Sequence, residues 1–167
     1  MRISLSDEKG IITEEMFGLM QQAADEAFRS EFEEYAEAAG LDINDIDIEV
    51  SLTLAGDDEI KELNREYRSK DSVTDVLSFP QFGSKEELLA ELTAEGREET
   101  LAGDVVICAE QAERQAAEYG TGIKREMLYL FVHSIMHLFG YDHMDEEEKK
   151  LMRAREEEVL KAIGAER

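Results

Sequence analysis

The chain has 167 residues, a length for one domain with a substantial core, and 43% of them are apolar while 35% are charged, a globular balance. No apolar run reaches the roughly 18 residues of a membrane span, and one cysteine, Cys108, excludes an internal disulfide. Eighteen Lys and Arg against 41 Asp and Glu leave a net charge of −23, which repels nucleic acid at long range.

In chain order, Ile3 and Leu5 alternate with polar residues as a strand does, and Thr13 before Glu14 and Glu15 reads as a helix N-cap with acids in the first turn. Met16, Met20, Ala23, Ala27, Phe28 and Phe32 recur at helical spacing, so the spacing predicts a helix that ends at Gly40, with a break near Ser30. Ile46, Ile48, Val50, Leu52 and Leu54 alternate strictly, which predicts a strand with one solvated face. A second helix runs from Asp57 to about Tyr67, and a polar loop leads to an extended run, Val76, Leu77 and Phe79, that ends at Pro80. Residues 61–70 (KELNREYRSK) hold four bases and two acids, a positive island after residues 1–60, which hold 17 acids and three bases. Residues 84–100 are acidic, with Leu88, Leu89 and Leu92 at helical spacing, and read as a surface insertion or lid rather than core.

Val105, Val106 and Ile107 form a short apolar run suited to a central strand, followed by a helix from Ala109 to Tyr119 closed by Gly120. Cys108 reads as a buried small hydrophobe. From Lys124 to Phe139 the sequence is apolar nearly all round, the pattern of a buried helix, and Asp145 with Glu148 resembles a capping box that opens a last amphipathic helix ended by Gly164.

The protein's three histidines all fall within HSIMHLFGYDH, as His133, His137 and His143. At i and i+4 on a helix, His133 and His137 project from one face about 6 Å apart at Cβ, close enough to share one metal ion. Gly140 can take the left-handed turn that swings His143 back over that face. Three nitrogen ligands with a fourth position open describe catalytic rather than structural zinc, although nickel and iron also accept imidazole. The spacing is that of metzincin proteases, H-E-x-x-H-x-x-G-x-x-H, but Ser134 stands where their general base, a glutamate, would be, so peptide hydrolysis by that route lacks its base. Asp142, beside His143, is either a carboxylate that orients an imidazole or a polar residue near the helix end.

HSIMHLFGYDH closely resembles H-G-x-L-H-L-x-G-Y-D-H, the signature of the YbeY family of metal-dependent bacterial endoribonucleases. Leu63-Asn64, Tyr67-Arg68, Asp71 and Thr74 through Pro80 resemble its L-N-x-x-Y-R-x-x-D-x-x-T-D-V-L-S-F-P stretch, and Gly103 through Cys108 its G-D-[IV]-x-I-[CS] strand. The likeness runs from about residue 45 to 160; Ser134 replaces the commoner Gly, Met136 the usual Leu, and the acidic segment 84–100 is longer than in many members.

The resemblance implies an α+β fold, a single domain over 1–167 in which a small mixed sheet packs against helices and the central buried helix carries the zincin-like metal site. It further implies a cytoplasmic, zinc-dependent endoribonuclease with one ion per chain. Such an enzyme acts on single-stranded RNA in 16S ribosomal RNA 3′-end maturation and ribosome quality control. Its partners would be ribosomal RNA and the small ribosomal subunit or its assembly factors, with no membrane and no DNA. Arg68 is then part of the active site, gripping a phosphate through its planar fork, while the metal polarises a phosphate oxygen or acidifies its bound water. The competing account of Arg68 is a surface salt bridge with Asp71 or Asp75. Two other readings of the chain are a non-catalytic, metal-stabilised ribosome assembly factor and a metal hydrolase of peptides or small molecules, the latter requiring an acid such as Asp104 beside Ser134.

Overall fold

The computed structural model describes residues 1–96, 99–142 and 146–165. Among these, the elements follow the order β1 (Arg2–Ser6), α1 (Glu14–Ala38), a 3₁₀ turn (Ile43–Asp45), β2 (Ile48–Ala55), α2 (Asp57–Arg68), β3 (Val76–Pro80), α3 (Lys85–Leu92), β4 (Thr100–Cys108), α4 (Ala109–Tyr119), α5 (Ile123–Leu138) and α6 (Glu146–Ala162). The four strands form one mixed sheet in the order β1-β2-β4-β3, with β1 and β4 parallel to β2 and β3 antiparallel to β4. This is the α+β arrangement expected of the sequence.

Period-two alternation divides the apolar side chains between the two faces of the sheet. Ile48, Val50 and Leu52 of β2 and Val105 and Ile107 of β4 join α1, α3, α5 and α6 in the main core. Val106 and Cys108 point the other way, into a smaller cluster with Ala55, Ile60 and Leu77 that α2 covers. Helix α5 touches α1, α4, α6, β3 and β4, so it runs through the middle of the molecule. The far side of β2 is half-covered rather than fully solvated, because Ser51 and Thr53 lie on the sheet's second packed face.

Two further expectations are corrected. Helix α1 is unbroken, since the Ser30 hydroxyl donates to the Ala27 carbonyl at 3.0 Å within the turn and leaves the backbone ladder intact. The acidic segment is not a lid: Leu88 and Leu92 of α3 are fully buried in the main core, and only the acidic face, Glu86, Glu87 and Glu91, looks outward. The charge of that segment disguised an ordinary amphipathic helix. Asp145 of the expected capping pair with Glu148 lies outside the described residues, and α6 opens with three acids, Glu146, Glu147 and Glu148.

Candidate metal and phosphate site

His133 and His137 lie on the same face of α5, one turn apart, with rings 4.6 Å between centroids and nearly perpendicular at 88°. His133 Nδ1 is 2.7 Å from Glu156 Oε1 of α6. A carboxylate only accepts, so this Nδ1 carries the hydrogen, and in the neutral ring, the form that binds a metal, Nε2 keeps its lone pair. His137 Nδ1 is 2.9 Å from the Tyr141 carbonyl, which fixes the same tautomer by the same reasoning. The two Nε2 atoms converge to 3.2 Å, and in the neutral rings both present a lone pair to the same space. Two ligands about 2.05 Å from one ion at the tetrahedral angle lie roughly 3.3 Å apart, so this donor pair fits a zinc-like ion. His143 lies outside the described residues.

The sequence reading missed Glu156, which orients His133; Asp142, weighed there beside His143, is exposed, and its neighbour His143 is outside the described residues. A signal was available. The core-facing positions of α6 are Met152, Glu156, Val159 and Leu160, so an acid interrupts an otherwise apolar stripe, and an acid at such a position implies a buried partner.

Tyr141 anchors the other imidazole. Its hydroxyl donates to Glu31 Oε2 at 2.7 Å, and Lys85 Nζ donates to the same oxygen at 2.6 Å. Arg155 Nε lies 3.3 Å from Glu31 Oε1. Burial first, and then the Glu31 carboxylate, push the Tyr141 phenol up to about 12. Gly140 makes this turn possible. Its φ is +90°, and a Cβ there would stand 2.6 Å from the Lys85 backbone nitrogen, which has nowhere to move. Gly140→Ala is expected to cost about 2 kcal/mol in chemical denaturation and to loosen the turn behind His137.

The positive island resolves into separate fates. Arg65 pairs with Glu62 at 3.5 Å and Lys61 with Asp71 at 3.7 Å, both exposed pairs of small energetic weight. Arg68 does not pair with Asp71 or Asp75. It ends α2, immediately before Ser69, whose left-handed φ of 56° turns the chain out of the helix. Its Nη2 donates to the Ser78 carbonyl of β3 at 2.9 Å, and its guanidinium lies 5.9 Å from the centre of the Phe79 ring. Both of these partners are neutral, so among the described residues no acid compensates the Arg68 charge. Neighbouring residues of the same stretch hold the loop in shape: Asn64 donates to the Ser72 carbonyl at 2.8 Å, and Gln115 reaches the Asp75 carboxylate at 3.0 Å. β3 in turn packs on α5, which links Arg68 to the histidine helix. Gly103 permits that approach, because a Cβ at its φ of +150° would lie 2.3 Å from the Phe79 carbonyl and 2.8 Å from Leu138.

Asp57, Cys108 and Glu110 form a second cluster whose donor atoms lie within 4.8 Å of one another. Its charges are already met. Arg114 grips Asp57 with a fork at 2.7 and 3.0 Å, Lys9 donates to Glu110 at 3.0 Å, and burial pushes the Cys108 thiol up to about 12, so it stays protonated and donates to Asp57. A protonated thiol is a poor metal ligand, and Cys108 behaves as the buried small side chain the sequence suggested.

Comparison with known proteins completes the picture. Residues 13–164 match the family model described as Endoribonuclease YbeY. The chain belongs to the YbeY endoribonuclease family. A relative named Endoribonuclease YbeY from Pelotomaculum thermopropionicum is 46% identical over 152 residues, 91% of this chain and 89% of that protein. Another of the same name, from Finegoldia magna, is 46% identical over 126 residues, 74% of each chain. The solution structure of TM1509 from Thermotoga maritima superposes with a TM-score of 0.57 at 25% identity, covering 97% of this chain and 91% of that one. The stretches whose sequence resembles the family's motifs include α5, the α2–β3 segment that carries Arg68, and β4. No described helix is long and apolar enough to cross a membrane.

Proposed function

We propose that this chain is a single-domain, cytoplasmic, zinc-dependent endoribonuclease that cuts single-stranded RNA in 16S ribosomal RNA 3′-end maturation and ribosome quality control. His133, His137 and His143 hold one ion and Arg68 holds a phosphate. The carrying observation is the pair of converging Nε2 atoms, 3.2 Å apart, each with its opposite nitrogen committed to an acceptor. Imidazoles locked by a carboxylate and a backbone carbonyl are the usual setting of metal-ligating histidines.

The metal, when bound, supplies a Lewis acid and an activated water, so the protein needs no separate carboxylate base. The protein's own residues do the rest. Glu156 and the Tyr141 carbonyl hold both imidazoles in the ligating tautomer, and Arg68 directs its fork at an anionic oxygen and stabilises the charge gained as the phosphorus centre is attacked. Ser134 is fully buried, its hydroxyl meets no partner among the described residues, and Asp104 is exposed, so the acid that peptide hydrolysis would require beside it is missing there. A protein of charge −23 relies on a local cationic surface, or on the small ribosomal subunit and its assembly factors, to bring RNA to the site.

The test is elemental analysis of protein purified without an affinity tag, alongside cleavage of a single-stranded RNA before and after chelation. About one zinc per chain, with cleavage lost on chelation and restored by zinc, is the expected result. Stoichiometric metal without cleavage would favour an assembly factor, and absence of metal would remove the site. Arg68→Ala is expected to lower kcat/KM by about 10²-fold at a stability cost near 1 kcal/mol, while Arg68→Lys restores only part of the rate because an ammonium lacks the planar fork.

A further inference from the structure

The face of α5 that carries His137 and His133 continues through Tyr129 to Arg125, four residues apart at each step. Tyr129 lies 5.9 Å from the His133 ring, and the Arg125 guanidinium lies 5.8 Å from the Tyr129 ring. Alongside them, α6 presents Arg153, Glu157 and Lys161, again four apart and all exposed. Together with Glu156 and Leu160 these residues line a cleft of about 450 Å³. Glu156 is engaged by His133, so the lining sets three cations against the single remaining acid, Glu157, on a protein of net charge −23.

Arg125 is the decisive member. Its Nε and Nη1 are shielded from solvent and meet no acceptor among the described residues. Buried N–H groups of a cation without an acceptor are costly, and the group that would satisfy them is an anion. Arg153 and Lys161 likewise make no ion pair or side-chain hydrogen bond among the described residues, although Glu157 lies one turn from each.

We propose that this cleft is a phosphate subsite for the strand being cut, with Arg125, Arg153 and Lys161 taking a backbone phosphate and the Tyr129 ring offering a face to a base. The inference rests on the endoribonuclease reading above and extends it along α5. Eight residues separate Arg125 from His133, about 12 Å of helix, so the subsite lies a short step along a strand whose scissile phosphate sits at the histidines. Cations that track a backbone beside an aromatic platform are the general means of holding a single strand without reading its sequence.

Arg153→Gln with Lys161→Gln provides the test, because both side chains are exposed and their loss leaves the core intact. Arg29→Gln on α1, outside the cleft, controls for net charge, and Arg125→Gln is examined in parallel. Cleavage of a labelled RNA of about 12 nucleotides is compared with that of a dinucleotide too short to reach the cleft, and binding of the longer RNA is followed by fluorescence anisotropy over a range of salt. The expected result for the double variant is a KM and a Kd about 5- to 10-fold higher for the longer RNA. Its salt slope should be shallower by about 0.7 per charge removed, with kcat and dinucleotide cleavage unchanged. An unchanged KM, Kd and salt slope, with cleavage intact, would overturn the subsite while leaving the proposed function standing. Equal loss per charge removed with Arg29→Gln would reduce it to a net-charge effect and overturn it as well. If the unaltered protein binds RNA without cutting it, a weakened double variant still supports the subsite and the catalytic reading alone fails; if it does not bind RNA at all, both fall.

Discussion

His133→Ala is expected to yield a folded chain that retains no metal and cuts no RNA, whereas Glu156→Gln is expected to weaken metal binding by about 10- to 100-fold. The difference follows from what each change removes. Alanine deletes the Nε2 that faces His137 across 3.2 Å, so one of the converging donors is gone. It also strands the Glu156 carboxylate, whose side chain is 5% exposed, at a cost of about 1–3 kcal/mol. A domain of this size tolerates that loss, since net stabilities run from about 5 to 15 kcal/mol. Glutamine keeps the shape and an acceptor oxygen for Nδ1, but it contributes no charge to make the imidazole more basic. Elemental analysis, a thermal melt and RNA cleavage on the same preparations separate the cases. Metal retained by His133→Ala would remove that histidine from the site. An unfolded His133→Ala beside a folded, weakly loaded Glu156→Gln would mark the ion as structural.

Much of this architecture was legible because its signals are local. Strict alternation through Ile48, Val50 and Leu52 can satisfy only a strand, and a segment apolar on every side, from Met127 to Phe139, can only be buried. The i, i+4 spacing of His133 and His137 fixed their common face before any tertiary contact was considered. The errors arose where composition outweighed periodicity. Six glutamates between residues 86 and 99 suggested a solvated lid, although Leu88 and Leu92, one helical turn apart, already described a core-facing stripe. Ser30 suggested a break because its hydroxyl competes for backbone groups, yet the bond it forms runs within the helix.

The partners of the site residues were harder to see. Glu156 meets His133 across 23 residues, and the Arg68 partner is a backbone carbonyl, which carries no sequence signature at all. Interrupted apolar stripes are the exception to this silence. Glu156 between Met152 and Val159, and Glu31 between Phe28 and Phe32, are acids at positions where periodicity calls for hydrophobes, and both proved to be hubs of buried contacts.

Glu31→Ala is accordingly expected to be the most destabilising single change outside the hydrophobic core, at about 2–3 kcal/mol. Its side chain is 1% exposed and joins four parts of the fold: α1 itself, Lys85 of α3, Tyr141 after α5 and Arg155 of α6. Removing one partner of a buried ion pair costs about 3–5 kcal/mol when the remaining charge stays buried. Lys85 and Arg155 are 25% and 37% exposed, so both can recover water, and the cost is correspondingly less. For a chain of this length, 2–3 kcal/mol lowers Tm by about 5–10 °C. The alkaline limit shifts too. The Tyr141 phenol rises from its ordinary 10 to about 12 in the folded protein, so it adds stability that is fully present below pH 10 and lost as pH climbs through 12. Burial supplies the larger part of that rise and Glu31 the next, so Glu31→Ala should shrink the alkaline dependence without abolishing it. Because the Tyr141 carbonyl accepts from His137 Nδ1, the same variant should weaken metal binding while Tyr141→Phe, which loses only the hydroxyl, should lower Tm less and leave the carbonyl in place. A Glu31→Ala protein with lowered Tm but undiminished metal affinity would separate the network from the histidines and confine it to holding α1, α3 and α6 together.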